Sequence, residues 1–213
     1  MSTREGASPR KSAKKASPGR PALRELAKQR TRQALIDAGL ELFSQQGLEG
    51  PSLDAICERA GCTRGAFYVH FGDRDALIAA AMATRRQHAL GTLLGAADLP
   101  IEKVLELFAS AMESGAFPLP GAVRSSELVA ACRRSKTLRA EHHRLLSATH
   151  ALVTERLERD QAEGRTRTDV EARSLALLLL LAEAGAELLF DLGFSFDARG
   201  GAAALSALLR PCP

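Results

Sequence analysis

The chain has 213 residues, 46% hydrophobic and 25% charged, with a formal net charge of +4. That is enough apolar material for a small module plus a larger helical domain. No alternating apolar/polar run of strand length appears, so the expected fold class is all-α, with about nine helices. Four cysteines, Cys57, Cys62, Cys132 and Cys212, form no C-x-x-C pair and no zinc-finger spacing. With no secretory signal either, a reducing, cytoplasmic location is expected. The most apolar segment, from Leu175 to Phe190, is interrupted by Glu183 and Glu187. It falls short of the ~18 uncharged residues of a membrane span and reads as a buried helix, so no membrane partner is expected.

Charge is unevenly placed. Residues 1–32 hold ten Lys and Arg against two Glu, a local balance of +8, and the remainder carries −4. The first residues mix Ser, Ala, Pro, Gly and basic side chains with almost no apolar bulk, which cannot offset the entropy of ordering. Residues 1–27 are therefore expected to be a disordered basic arm, suited to phosphate by counterion release. Within it, Pro18-Gly19-Arg20-Pro21 is similar to the Gly-Arg-Pro core of minor-groove hooks, with Arg20 as the inserting side chain. The competing reading is a solvated basic tail.

Next comes RTRQALIDAGLELFSQQG, where Ile36, Leu40 and Phe43 recur at helical spacing and Gly47 supplies a stop. Residues 52–71, SLDAICERAGCTRGAFYVHF, then read as two short helices joined by a tight turn. Ser52 caps the first, Leu53, Ile56 and Ala60 give it an apolar face, and Gly61 takes the left-handed C-terminal position. Thr63 caps the second, which turns Ala66, Phe67 and Phe71 inward and leaves Arg64, Gly65 and Tyr68 outward. Helices this short need tertiary support. The result is a helix-turn-helix inside a domain spanning residues 28–75, followed by a helical domain over 76–213.

In such a motif the second helix enters the major groove N-terminus first, so Thr63, Arg64 and Gly65 lie nearest base edges. Arg64 can take guanine O6 and N7 together, or contact a phosphate. Gly65 permits close backbone approach. Ser52 serves as both N-cap and phosphate donor. After Phe71, Asp73 caps a new helix whose first turn carries Arg74. A cation there opposes the helix dipole, which points to a phosphate partner.

The run from Arg30 to Met82, about 53 residues, resembles the DNA-binding domain of the TetR/AcrR family of bacterial transcriptional regulators. The resemblance rests on Ala38, Leu42, Phe43 and Gly47, on Ser52, Leu53 and Ile56, and on Ala60, Gly61, Gly65, Tyr68, His70, Phe71 and Leu77. Cys62 and Arg74 depart from the family, which has a small aliphatic residue and a lysine there. The resemblance implies DNA-backbone contacts for Tyr68 and His70, against a core tyrosine and a capping or solvated histidine. It implies a homodimer on a roughly palindromic operator, and a small-molecule effector that shifts the helix after the DNA module.

Beyond Pro100, helices are expected from about Ile101 to Met112, over Glu127–Arg133, over Lys136–Glu163, over Val170–Leu192 and over Asp197–Leu209. The 136–163 helix carries two apolar stripes, Leu138/Leu145/Leu152 and Leu146/Val153/Leu157, so it is sandwiched between neighbours. Small residues in the last two long helices, among them Ala182, Gly185, Ala186 and Ala202, fit either a dimer seam or intrachain packing. The resemblance favours the seam. Candidate pocket residues are Phe108, Met112, Phe117, Cys132, His143, His150 and Phe190, most of which also suit an ordinary core.

An enzyme or metal protein is the rival class. His143 and His150 share a helix face but rise about 10.5 Å apart, too far for one ion, and His142 points elsewhere. No phosphate loop, nucleophile elbow or paired-carboxylate site appears. A non-enzymatic protein without cofactor or metal is expected, a repressor released from its operator by a ligand. The alternatives are a ligand-independent architectural DNA binder, or a redox-responsive regulator in which Cys57 and Cys62 meet across the turn.

Overall fold

The computed structural model describes residues 20–94, 99–114 and 123–211, with the backbone alone for 20–22 and 88–94. Among these residues the chain forms nine helices and no strand. They are α1 (Arg20–Gln46), α2 (Leu53–Arg59), α3 (Arg64–His70), α4 (Arg74–Leu94), α5 (Ile101–Glu113), α6 (Ser125–Arg134), α7 (Lys136–Ala162), α8 (Ala172–Asp191) and α9 (Ala198–Leu209).

The short helices start and stop where local chemistry requires it. Ser52 Oγ accepts from Ala55 N at 3.1 Å, Thr63 Oγ1 from Ala66 N at 3.2 Å and Asp73 Oδ1 from Ala76 N at 2.7 Å. Each satisfies a backbone donor that the first turn leaves without a partner. Gly61 adopts φ +64° between α2 and α3, and Gly47 adopts φ +75° after α1, a region that costs other residues strain.

α1 starts earlier than expected. The arm predicted over residues 1–27 becomes helix from Arg20 onward. Low apolar content was a poor guide here, because Ala22, Leu23, Arg24, Glu25, Leu26, Ala27 and Lys28 are all strong helix formers, and a proline is tolerated in a first turn. Leu23 and Leu26 remain exposed. Arg20 is the first residue of this helix rather than part of an extended hook; residues 1–19 lie outside the described residues.

One buried cluster joins Leu35, Ile36, Phe43, Leu48, Ile56, Phe67 and Phe71 to Leu77, Ile78 and Ala81 of α4. It continues into Val123, Ala131, Cys132 and Leu138. The boundary expected at 75/76 thus runs through packed core, not through a linker. Glu127 of α6 reinforces the join: its Oε2 accepts from Leu48 N at 2.8 Å and its Oε1 meets Arg124 Nε at 3.1 Å. A second cluster, Ile101, Leu157, Leu175, Ala176 and Leu209, holds the far end of the molecule. There Asp160, fully buried on α7, accepts from Ile101 N at 3.1 Å and from Arg165 Nη2 at 2.6 Å. It caps α5, whose own N-cap is Pro100.

Candidate nucleic-acid interface and internal cavity

α3 is anchored by Phe67, which has no exposed surface, and Phe71 closes its C-terminal end. The rings of Phe67 and Phe71 lie 5.6 Å apart, and Tyr68 meets Phe67 edge-on at 5.3 Å. This inner face fixes the outer one. Thr63, Arg64 and Gly65 are exposed at the N-terminal end, and Tyr68 and Val69 are 58% and 67% exposed beside them. Such exposure on a rigid seven-residue helix is what a groove-reading element needs. A Cβ built on Gly65 would approach nothing closer than Thr63 Oγ1 at 3.7 Å, so no intramolecular crowding requires glycine there.

Arg64 is poised rather than free: its Nε meets Asp54 Oδ1 of α2 at 2.6 Å, with both side chains more than half exposed. An exposed pair of this kind contributes about 0–1 kcal/mol and gives way readily to a phosphate or a guanine edge. Val69 was absent from the sequence-derived site; only its apolar character beside inward Phe67 and Phe71 signalled it, and that reads equally as core.

His70 is half-buried, and burial, followed by the cationic Lys28 and Arg32 of α1, holds its imidazole below the usual histidine range. Arg32 also stacks on the Phe71 ring, 5.2 Å from its centre. α1 therefore lays the basic side chains of Lys28 and Arg32 beside the C-terminal end of α3.

Arg74 corrects an expectation. Its Nη2 donates to the backbone carbonyls of Leu48 and, at 3.1 Å, of Pro51, and its guanidinium lies 5.5 Å from the centre of the Phe43 ring. The side chain clamps the α1–α2 connection in place of the phosphate expected for it. The dipole argument failed because these carbonyls supply the negative partner.

Cys57 and Cys62 do sit together across the turn. Cys57 is buried, and burial first, then the neighbouring Cys62, pushes its thiol upward from the ordinary cysteine value. A thiol held protonated packs well and reacts slowly.

Away from this face, a cavity of about 510 Å³ opens between α5, α7, α8 and α9. Of the expected pocket residues, Phe108, Met112 and His150 line it. Cys132 does not: it is buried in the core shared with the DNA module, where burial raises its thiol pKa. His143 and Phe190 are exposed and absent from the wall. Phe117 lies outside the described residues. Thr149, Val153 and Glu183 line the cavity without having been anticipated, because helix residues facing a hole carry the same pattern as those facing a neighbour.

α8 has a second, outward face. Leu177, Leu181, Leu188 and Leu192 are 47–71% exposed at helical spacing, and Leu208 of α9 and Phe194 are also exposed. Contiguous apolar surface of this kind marks an interface. No helix among the described residues is long and apolar enough to cross a membrane.

Residues 35–81 match the family described as "Bacterial regulatory proteins, tetR family". The HTH-type transcriptional regulator SrpR of Pseudomonas putida is 45% identical over 82 residues, 38% of this chain and 38% of the relative. The chain thus spans well under two thirds of that relative's length. The HTH-type transcriptional regulator UidR of Escherichia coli K12 is 26% identical over 162 residues, 71% of this chain and 77% of its own. Among solved structures, a transcriptional regulator of the TetR family from Cytophaga hutchinsonii shares the fold with a TM-score of 0.68 at 20% identity, covering 85% of this chain and 94% of that one. The matched segment holds the helix-turn-helix of α2 and α3, so residues 35–81 form a DNA-binding module of the tetR type, and the described residues around it share the all-helical fold of such regulators.

Proposed function

We propose that the protein is a sequence-specific DNA-binding transcriptional regulator, a cytoplasmic homodimer and a repressor released from its operator by a small molecule. The observation that carries this reading is the outer face of α3: Thr63, Arg64, Gly65 and Tyr68 stand exposed on a helix immobilised by Phe67. Ser52 at the N-terminus of α2, with His70, Lys28 and Arg32 at the other end of α3, flanks that face with phosphate-seeking groups. Arg20, the first residue of α1, completes the proposed set of DNA contacts.

The apolar stripe of α8 and Leu208 of α9 supports a two-fold dimer through the last two long helices, which presents two α3 helices to one duplex. The cavity supports an effector site, since its volume lies within the ~300–1,000 Å³ of small-molecule pockets. α4 supports their coupling. Its first turns belong to the core under α3, and Arg86 further along donates to Thr149 Oγ1 on the cavity wall at 2.8 Å. No catalytic chemistry or cofactor enters this reading.

Fluorescence anisotropy on duplex DNA from immediately upstream of the protein's own gene, against a scrambled duplex over a salt series, tests it. A preference of about a thousandfold or more is expected for an operator. Equal, steeply salt-dependent binding to both duplexes would favour an architectural role.

A further inference from the structure

The cavity wall is almost wholly apolar, with Leu105, Phe108, Met112 and Leu205 among its side chains, and its charged members, Glu183 and Asp197, are both carboxylates. No Lys or Arg of the described residues lines it. Asp197 is occupied as the N-cap of α9, where Oδ1 accepts from Gly200 N at 2.8 Å. Glu183 is held more loosely, its Oε2 lying 3.3 Å from Arg86 Nη2.

Charge around Glu183 is unbalanced. Glu187 and Asp191 follow it at four-residue intervals on α8, and Arg85 and Arg86 of α4 face this row. Three carboxylates thus meet two guanidiniums. Burial is the main cause that raises the pKa of Glu187; Glu183 and Asp191 add to it, while the hydrogen bond from Ser125 Oγ at 2.6 Å and the Arg86 guanidinium oppose it. An added positive charge is stabilised here, whereas an added anion finds no cationic donor on the wall.

We propose that the cavity binds a lipophilic cation, its apolar body between α5 and α9 and its positive group on Glu183. Burying a charge in so apolar a space is favourable only against an opposite charge, and Glu183 supplies it. Because the same carboxylate holds Arg86, ligand and α4 compete for one partner. The inference rests on the reading of the cavity as an effector site.

Two ions of matched size and shape but opposite charge, tetraphenylphosphonium and tetraphenylborate, separate the two ideas. Each is titrated against the full chain loaded with the uncharged dye N-phenyl-1-naphthylamine, which fluoresces on entering apolar space. Tetraphenylphosphonium is expected to displace the dye with an affinity about tenfold or more above that of tetraphenylborate. Glu183→Gln should keep dye binding, which shows an intact cavity, and lose about tenfold or more in affinity for the cation alone. Equal affinities for the two ions, or a Glu183→Gln protein that binds the cation unchanged, would overturn the charge assignment and leave the cavity reading standing. Failure of the dye itself to bind would remove the cavity reading, and this inference with it.

Discussion

At Gly65 the physics of folding and that of recognition pull in opposite directions. It occupies the first turn of α3, exposed, where an added Cβ would meet Thr63 Oγ1 at an ordinary 3.7 Å. Alanine there should therefore raise stability by about 0.5–1 kcal/mol, since glycine in a helix carries extra unfolded-state entropy. If α3 lies against base edges, the same methyl group obstructs the approach. Thermal melts and anisotropy on one preparation of Gly65→Ala are expected to show a more stable protein that binds DNA more weakly; stronger or unchanged binding would place Gly65 away from the duplex. His70 adds a pH dependence. Burial, Lys28 and Arg32 lower its pKa in the free protein, and a DNA phosphate would reverse that by stabilising the imidazolium. The complex then holds a proton that the free protein lacks, so affinity rises as pH falls through the histidine range, by about tenfold per unit of pKa difference at most. His70→Gln should flatten this dependence in anisotropy measured from pH 7.5 to 5.5.

Among the elements, α6 does more than its ten residues suggest. Glu127 reaches back to the backbone of Leu48, just past the left-handed Gly47 that ends α1, and a side chain at Gly47 would press on the same carboxylate at 2.9 Å. Leu48 is only 1% exposed, so removing its acceptor leaves a buried N–H without a partner. Glu127→Ala is expected to cost about 1–3 kcal/mol in urea unfolding, and to loosen the DNA module from the rest of the chain. A cost within a few tenths would mean that water replaces the carboxylate. Such long-range ties were illegible in the sequence, where Glu127 is one carboxylate in a polar helix start. Local punctuation was legible. Ser52, Thr63 and Asp73 each make the capping bond their residue types predict, Gly61 takes the expected positive φ, and Gly47, expected as a stop, takes one too. The bounds of α5 to α9 fall within about two residues of expectation. The start of α1 was missed because its N-terminal half is held by helix propensity, not by an apolar stripe.

At the scale of the molecule, α8 divides its apolar residues between two tasks that the sequence writes in the same letters. Leu179, Ala182 and Ala186 turn to the cavity, while Leu177, Leu181, Leu188 and Leu192 turn to solvent. Only the packing of α5, α7 and α9 tells them apart, which is why Glu183 on the cavity wall was not legible in the sequence. Leu181→Glu, at a position 59% exposed in the isolated chain, should leave the fold intact and shift the protein from dimer to monomer in sedimentation. It should also collapse DNA affinity, since one α3 contacts one half-site. A dimer that survives this substitution would place the seam elsewhere. The central claim, that paired α3 helices read sequence, is tested most directly by selecting from a random duplex library with the full chain. The account predicts enrichment of a roughly palindromic motif whose half-sites lie about one helical turn apart or slightly more; recovery of no motif, or of a single unpaired half-site, would contradict it.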